Sequence, residues 1–577
     1  MLTMGTKRVP ALHPDCFFSK MVLLWLSLAS ACLASTLPVV DLGYERHQAL
    51  SYNSSNGLYS FDNIRYAAPP VGDLRFRAPT APKVNRQHIQ NGSVSHMCPQ
   101  AAPLWSTKVQ TPFVLDYLSG QPFNMSTDIS SYPYTPTKQE AAVSEDCLFL
   151  DVTVPKKVFD RTKTGTEKNL APVMVWIYGG GYIAGDKTTN DARGLVHRST
   201  TAGHDGIVYV AFNYRLGAFG WLGGESVNAN GTANAALHDQ RFALEWVHKN
   251  IHLFGGDASR ITVMGESAGA GSIMHQITAY GGKQSPPRFQ QAVIQSPGWV
   301  PIISEEQQED SMQQFLGFLN VSTLEEARTL SSDKVIAANS AQIATKSKWG
   351  TFIYGPAVDG TFVPALPGQL LLNGNFHHDV NVMVGHAADE GLLFTTPESY
   401  NRTGFGSQLS NLAPSILKDV SQFVEHILYP PIYNGTFGYT DSVSRAALLV
   451  SDMAFQCNTD YLNRAFNRTY AYEFNITPGL HGQDAAYTFY NEGSTEVSST
   501  STNPLMTVSN VTVALAMQDY FLSFTEHGVP TSPLGPTIEP WGPHAQLMSL
   551  ETERIRSIPD PTRNARCSFW QPVPYYP

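Results

Sequence analysis

The chain has 577 residues, 42% of them hydrophobic and 15% charged, with 45 glycines and 38 prolines. That is the composition of a loop-rich globular protein able to bury a large core, and it excludes a disordered or fibrous chain. A formal net charge of −10, with no long run of like charge, excludes the basic patch by which proteins hold nucleic acid.

Length alone favours several domains, but one large α/β domain with long insertions also reaches this size, and no shift in composition marks a boundary. At the N-terminus, Lys7, Arg8 and Lys20 precede the apolar run MVLLWLSLASACLAS, which begins at Met21 and ends in small residues. This pattern predicts a secretory signal over residues 1–34, with cleavage after Ala31 or Ala34 and Met21 as an alternative start. A single catalytic domain over residues 35–577 is then expected. No later segment approaches the roughly 20 apolar residues of a spanning helix, so a secreted chain without an integral membrane segment is expected. Cys16 and Cys32 fall in the leader, which leaves Cys98, Cys147, Cys457 and Cys567, an even number that suits two disulfides in an oxidising compartment. Ten Asn-x-Ser/Thr sequons suit the same route. Nothing in the sequence sets the oligomeric state.

Through the middle of the chain, short apolar segments alternate with helical ones, as in an open, mostly parallel sheet. PVMVWIYGGG (172–181) and GIVYVAFNYR (206–215) are predicted as buried strands, and NAALHDQRFALEWVHKNI (234–251) as an amphipathic helix. ITVMGESAGAGSIM (261–274) then runs a β-branched strand into Gly-Glu-Ser-Ala-Gly and on into a helix start. Such a turn holds its serine on a strained elbow with the hydroxyl off the sheet edge, which makes Ser267 a candidate nucleophile. Gly265 and Gly269 flank it because a Cβ at either place would crowd the facing backbone. VNVMVG (380–385) and TYAYEF (469–474) are later strands, each opening into a polar loop, and STEVSSTSTNP (494–504) reads as a surface loop.

A serine nucleophile needs a base, an acid to orient it and donors for the oxyanion. WIYGGGYIAG places three glycines directly after a strand, where bare amides can converge on a negative oxygen. GHAADEGLLF offers Asp389 and Glu390, and GLHGQDAAYTF offers His481, in the order serine, acid, histidine expected of an α/β-hydrolase. The residues alone do not choose between Asp389 and Glu390. His275, on the elbow helix, and His386, beside the acid, lack the separate loop a base needs. No cysteine and histidine spacing calls for a metal, the pair His377 and His378 reads as a solvated loop, and no cofactor is implied.

EDCLFLDV (145–152), WIYGGGY (176–182), NYRLGAFGWL (213–222), HDQRFALEWVHKNIHLFGGD (238–257), GESAGAGS (265–272), DEG (389–391) and HGQD (481–484) together resemble the type-B carboxylesterase/lipase family, the cholinesterase-like α/β-hydrolases. The resemblance runs over essentially the whole mature chain. It implies an α/β-hydrolase fold with a central, mostly parallel sheet flanked by helices and interrupted by long loop insertions. It further implies Ser267 as nucleophile, His481 as base, Glu390 as acid, and an oxyanion hole of Gly180, Gly181 and Ala268. Glu266 matches a buried acidic residue of the family. Disulfides Cys98 to Cys147 and Cys457 to Cys567, and ion pairs Arg75 with Glu145 and Arg215 with Asp239, are implied in the same way. Thr137 falls where the cholinesterases carry the tryptophan that cradles choline, so choline esters are not the expected substrate.

The expected activity is that of a secreted serine ester hydrolase acting through an acyl-enzyme on apolar carboxylic esters, with a small-molecule or lipid ester as its partner. Because the base must be neutral, activity is expected to rise through an apparent pKa of roughly 6 to 7. Two rivals stand beside this reading: a non-catalytic adhesion protein of the same superfamily, and a hydrolase dedicated to one secondary metabolite. The first is opposed by the complete set of serine, histidine, acid and glycines. Between Cys98 and Cys147, the stretch 102–123 sets Leu104, Trp105, Phe113, Val114, Leu115, Tyr117, Leu118 and Phe123 among polar residues. These side chains either pack against the body as core or form the mobile lid that this loop makes in lipase members.

Overall fold

The apolar runs of the sequence become neighbouring strands of one sheet in the computed structural model of the protein, which describes residues 37–123, 132–135, 140–164, 170–201, 203–492 and 505–572. The predicted leader, Thr137 and the tract 494–504 lie outside the described residues. In chain order the strands are β1 (Ser51–Asn53), β2 (Leu58–Arg65), β3 (Phe149–Pro155), β4 (Ala171–Ile177), β5 (Val208–Phe212), β6 (Gly256–Glu266), β7 (Gln291–Gln295), β8 (Asn381–Ala387), β9 (Thr469–Asn475), β10 (Gln546–Glu551) and β11 (Ile555–Pro559). Across the sheet they lie in the order β11-β10-β9-β8-β7-β6-β4-β5-β3-β2-β1. The pairs from β5 through β4, β6, β7, β8 and β9 to β10 are parallel. Both edges turn antiparallel. A separate sheet joins Val39–Asp41, Glu45–Gln48 and Asn85–Gln90.

Central parallel strands are covered on both faces, which is why every residue of β4 and β5 is buried and both read as unbroken apolar runs. The helix read at 234–251 forms as α2 (Ala235–Asn250), with Ala236, Leu237, Ala243, Leu244 and Val247 on its buried stripe against β6. Arg75 and Glu145 meet as a buried bidentate pair at 2.5 and 2.7 Å, and Arg215 meets Asp239 in the same way at 2.6 and 2.7 Å. Three backbone carbonyls, of Ala327, Arg328 and Leu330, accept from the remaining Nη1 of Arg75. A buried guanidinium needs this degree of satisfaction to be tolerated.

The disulfides Cys98–Cys147 and Cys457–Cys567 are both formed, with Cα separations of 5.0 and 4.9 Å. Inside the first, a π-turn at Ser106–Gln110 leads into α1 (Thr111–Leu118). Trp105, Val109, Phe113 and Val114 are buried there in a second apolar cluster with Trp349, Phe394, Val450 and Phe455. Trp105 donates its indole N–H to the Thr351 carbonyl, Gln110 donates to the Leu393 carbonyl, and the Tyr117 hydroxyl donates to Asp441. The stretch is packed against the body in this structure, with Trp105, Phe113 and Val114 buried and Leu104, Leu115, Tyr117 and Phe123 half-buried. Leu118 alone of its eight large side chains stays exposed. Trp105→Ala is therefore expected to cost stability, about 3 to 5 kcal/mol, read as a fall in the urea midpoint. An unchanged midpoint together with an altered acyl-length preference would restore the lid.

Candidate active site

β6 ends at Glu266, and α3 (Ala268–Thr278) begins two residues later. The intervening Ser267 sits at φ 56° and ψ −124°, a conformation that costs a non-glycine residue free energy unless its surroundings fix it. They do. Ser267 N–H donates to the Gln295 carbonyl at 3.0 Å, and its own carbonyl accepts from Gly271 at 2.8 Å and Gly298 at 3.1 Å. The glycine at 269 is forced by the neighbouring strand, because a Cβ there would lie 1.9 Å from the Ile177 carbonyl oxygen at the end of β4.

Glu390 and His481 follow β8 and β9, so parallel pairing of β6, β7, β8 and β9 delivers all three side chains to one sheet edge. His481 Nε2 lies 2.8 Å from Ser267 Oγ, and Nδ1 lies 2.5 Å from Glu390 Oε2. With Nδ1–H donating to the carboxylate, Nε2 accepts from the serine hydroxyl. Glu390 is fully buried, and its other oxygen accepts from Ala387 N–H at 2.6 Å. Asp389 points elsewhere. Its backbone joins Gly479, and desolvation, reinforced by the Glu390 and Asp441 charges, holds its carboxyl up at about 6. His275 is buried with Nδ1 bonded to the Gly271 carbonyl, and His386 faces Glu473. Neither meets Ser267. Of the pair expected on a solvated loop, His377 is buried and His378 exposed.

Further carboxyls surround the imidazole. Glu266 Oε1 lies 3.4 Å from His481 Nε2 and accepts no hydrogen bond from the described residues. Burial pushes the Glu266 carboxyl up to about 8 against the pull of His481, with Asp484 and Glu390 adding to the rise. Asp484 accepts from Gln295 at 3.0 Å and from Tyr472 at 3.1 Å, and burial holds it near 6. Burial alone would lower His481, but Glu390 and Glu266 outweigh it and raise the imidazole to about 9. A step that needs neutral His481 is lost as pH falls through that raised value, so the acid limb of activity is expected on the alkaline side of an ordinary histidine rather than at 6 to 7. Glu266→Gln removes one of the raising charges and is expected to move the limb to lower pH in kcat/KM profiles. A limb that stays put would show that Glu266 does not act on His481.

The amides of Gly180, Gly181 and Ala268 have no acceptor among the described residues. Gly181, Ser267 and Ala268 face a cavity of about 440 Å³, whose inner wall carries Trp299, Phe352, Phe394 and Phe455. A Cβ on Gly181 would strike the Phe352 ring at 2.7 Å, so only glycine keeps this backbone against the wall. Phe455 and Phe394 also pack on the His481 ring, at 4.2 and 5.2 Å between centroids. The sequence reading missed these aromatics, along with Gln295 and Asp484. Asp484 alone had a signal, its place in HGQD three residues after the histidine. Among the described residues, the one grouping with metal-ligand proximity is Asp452 with Cys457 and Cys567, whose sulfurs are consumed by the disulfide.

The chain has relatives among known proteins. The carboxylesterase family model matches residues 44–570. Carboxylesterase patB of Aspergillus clavatus is 40% identical over 568 residues, covering 96% of this chain and 99% of that one. Lipase 1 of Geotrichum candidum is 29% identical over 518 residues, covering 84% and 85%. Among solved structures, EstA of Aspergillus niger superposes with a TM-score of 0.75 at 26% identity, over 94% of this chain and 99% of that one. With its mostly parallel sheet, its serine elbow and a family match that spans nearly all of the described chain, the protein belongs to the carboxylesterase family and is a carboxylic ester hydrolase.

Proposed function

We propose that this is a secreted serine esterase in which Ser267 attacks the ester carbonyl, His481 takes the serine proton, and Glu390 holds the imidazole in the required tautomer. The hydrogen-bonded chain from Ser267 through His481 to Glu390 carries this reading. The alcohol departs with the proton His481 returns to it, leaving an acyl group on Ser267 Oγ, and water repeats the cycle to release the acid. Gly180, Gly181 and Ala268 offer free amides to the tetrahedral oxyanion, each such donor worth about 3 to 4 kcal/mol of barrier. The apolar part of the ester packs against the aromatic inner wall of the cavity. The catalytic unit is a single domain over residues 35–577. Secretion is supported by the two disulfides, by the absence of a long apolar helix among the described residues, and by relatives named as secreted lipases.

An aryl organophosphate tests the assignment directly. One equivalent is expected to abolish activity and to appear, on peptide mapping, as a phosphoryl adduct on Ser267. Complete inactivation with the adduct on any other residue would overturn it.

A further inference from the structure

The cavity beside Ser267 changes character along its length. Its inner members, Trp299, Phe394, Val450 and Phe455, are buried and apolar. Toward solvent, one face of α4 (Glu305–Leu319) takes over the wall through Ser304, Gln307, Ser311 and Gln314, with Ser304 as the residue that caps the helix. Successive spacings of 3, 4 and 3 residues put all four on one helical face. These four side chains are polar and uncharged, and Asp310, three residues after Gln307 and four before Gln314, borders them on the same face. The Ser304 hydroxyl accepts from the Gln307 backbone, and the Ser311 hydroxyl donates to the Gln307 carbonyl, while the carboxamides of Gln307 and Gln314 have no protein partner among the described residues.

The rim adds charge of both signs. Glu306 and Asp310 stand exposed on α4, and Lys346 and Lys348 stand exposed at the end of the helix Ser332–Lys346 and just beyond it. Among the described residues no ion pair joins these four. A charged group of either sign seated at this end meets two like charges as well as two opposite ones, so the rim selects neither sign. An alkyl chain laid along α4 strips water from two carboxamides and returns no hydrogen bond. A group bearing several hydroxyls escapes that desolvation cost and uses both kinds of rim charge, because each hydroxyl donates to a carboxamide or carboxylate oxygen and accepts from an amide or ammonium N–H.

We infer that the ester cleaved here joins an apolar part, packed on the aromatic inner wall, to a multiply hydroxylated part seated along Ser304, Gln307, Ser311 and Gln314. This rests on Ser267 being the nucleophile of the cavity. The hydroxylated part belongs either to the alcohol or to the far end of the acid, and matched substrates separate the two.

One series esterifies hexanoic acid with hexanol, glycerol and glucitol. The other compares p-nitrophenyl octanoate with p-nitrophenyl 7,8-dihydroxyoctanoate, whose hydroxyls are too far from the carbonyl to close a five- or six-membered lactone. With the full secreted chain, the hydroxylated member of one series is expected to show kcat/KM about tenfold or more above its alkyl counterpart, mainly through KM. Gln307→Leu/Gln314→Leu is expected to reverse that order, raising KM for the hydroxylated member and lowering it for the alkyl one. Equal or better kcat/KM for the alkyl members in both series would overturn the inference and leave the serine esterase standing. If no member is hydrolysed by a protein whose Ser267 still takes the organophosphate, the inference falls alone; if hydrolysis survives Ser267→Ala, the nucleophile assignment falls and the inference with it.

Discussion

Ser267→Ala is expected to lower turnover on the order of a million-fold, His481→Ala by a similar factor, and the double variant by little more than either alone. The near-equality is the informative part. Ser267 Oγ stands 2.8 Å from His481 Nε2, so the hydroxyl is activated only while the imidazole accepts its proton, and the imidazole has nothing to accept once the hydroxyl is gone. Residues that act as one unit lose their contribution once. Fold is not at stake in the serine variant, because the elbow is held by backbone hydrogen bonds to Gln295, Gly271 and Gly298 that do not involve the hydroxyl. Steady-state hydrolysis of an aryl ester by the three variants checks this. More than a few per cent of activity in Ser267→Ala, or losses that multiply in the double variant, would remove the serine from the mechanism.

Glu390→Gln is expected to cost roughly four orders of magnitude in turnover, while Asp389→Asn keeps most of it. A glutamine at 390 still fits the site, but it presents either a neutral oxygen or an N–H where Nδ1–H now finds a carboxylate at 2.5 Å. The first choice forfeits stabilisation of the imidazolium, and the second turns the ring to the tautomer with its proton facing Ser267. Asp389 lies outside this chain of bonds and contributes through the turn it shares with Gly479. Kinetics on the two single variants decide the matter, and the reverse pattern would move the acid by one residue.

Much of this was legible in the sequence because the central strands bury both faces. Ala171–Ile177 and Val208–Phe212 leave no polar position at which an alternative element could be read, and the serine elbow shows as a local run of strand, Gly-Glu-Ser-Ala-Gly and helix, although the contact that forces glycine at 269 is with Ile177 on a neighbouring strand. The choice of Glu390 over Asp389 was not legible from local chemistry. Adjacent loop residues differ only in direction, and direction here depends on Gly479 and Ala387, distant in sequence or hidden in the turn. The cavity wall was harder still. Trp299, Phe352, Phe394 and Phe455 come from four separate segments, each with ordinary local spacing, and only tertiary packing makes them neighbours. The disulfide stretch kept two readings open for a related reason, since a buried helix and a closed lid carry the same apolar periodicity.

The second apolar cluster places Phe394, Val450 and Phe455 in two roles at once, as the inner surface of the cavity and as packing partners of Trp105 and Phe113. Substrate range and folding stability therefore draw on the same atoms. A substitution that widens the cavity at Phe394 or Phe455 also opens a void in the cluster behind it, and one that merely loosens Phe113, far from any ester, reshapes the surface the ester meets. Broadening selectivity in this protein is expected to require paired changes, one facing the cavity and one refilling the cluster, so that single-residue paths to new substrates are narrow.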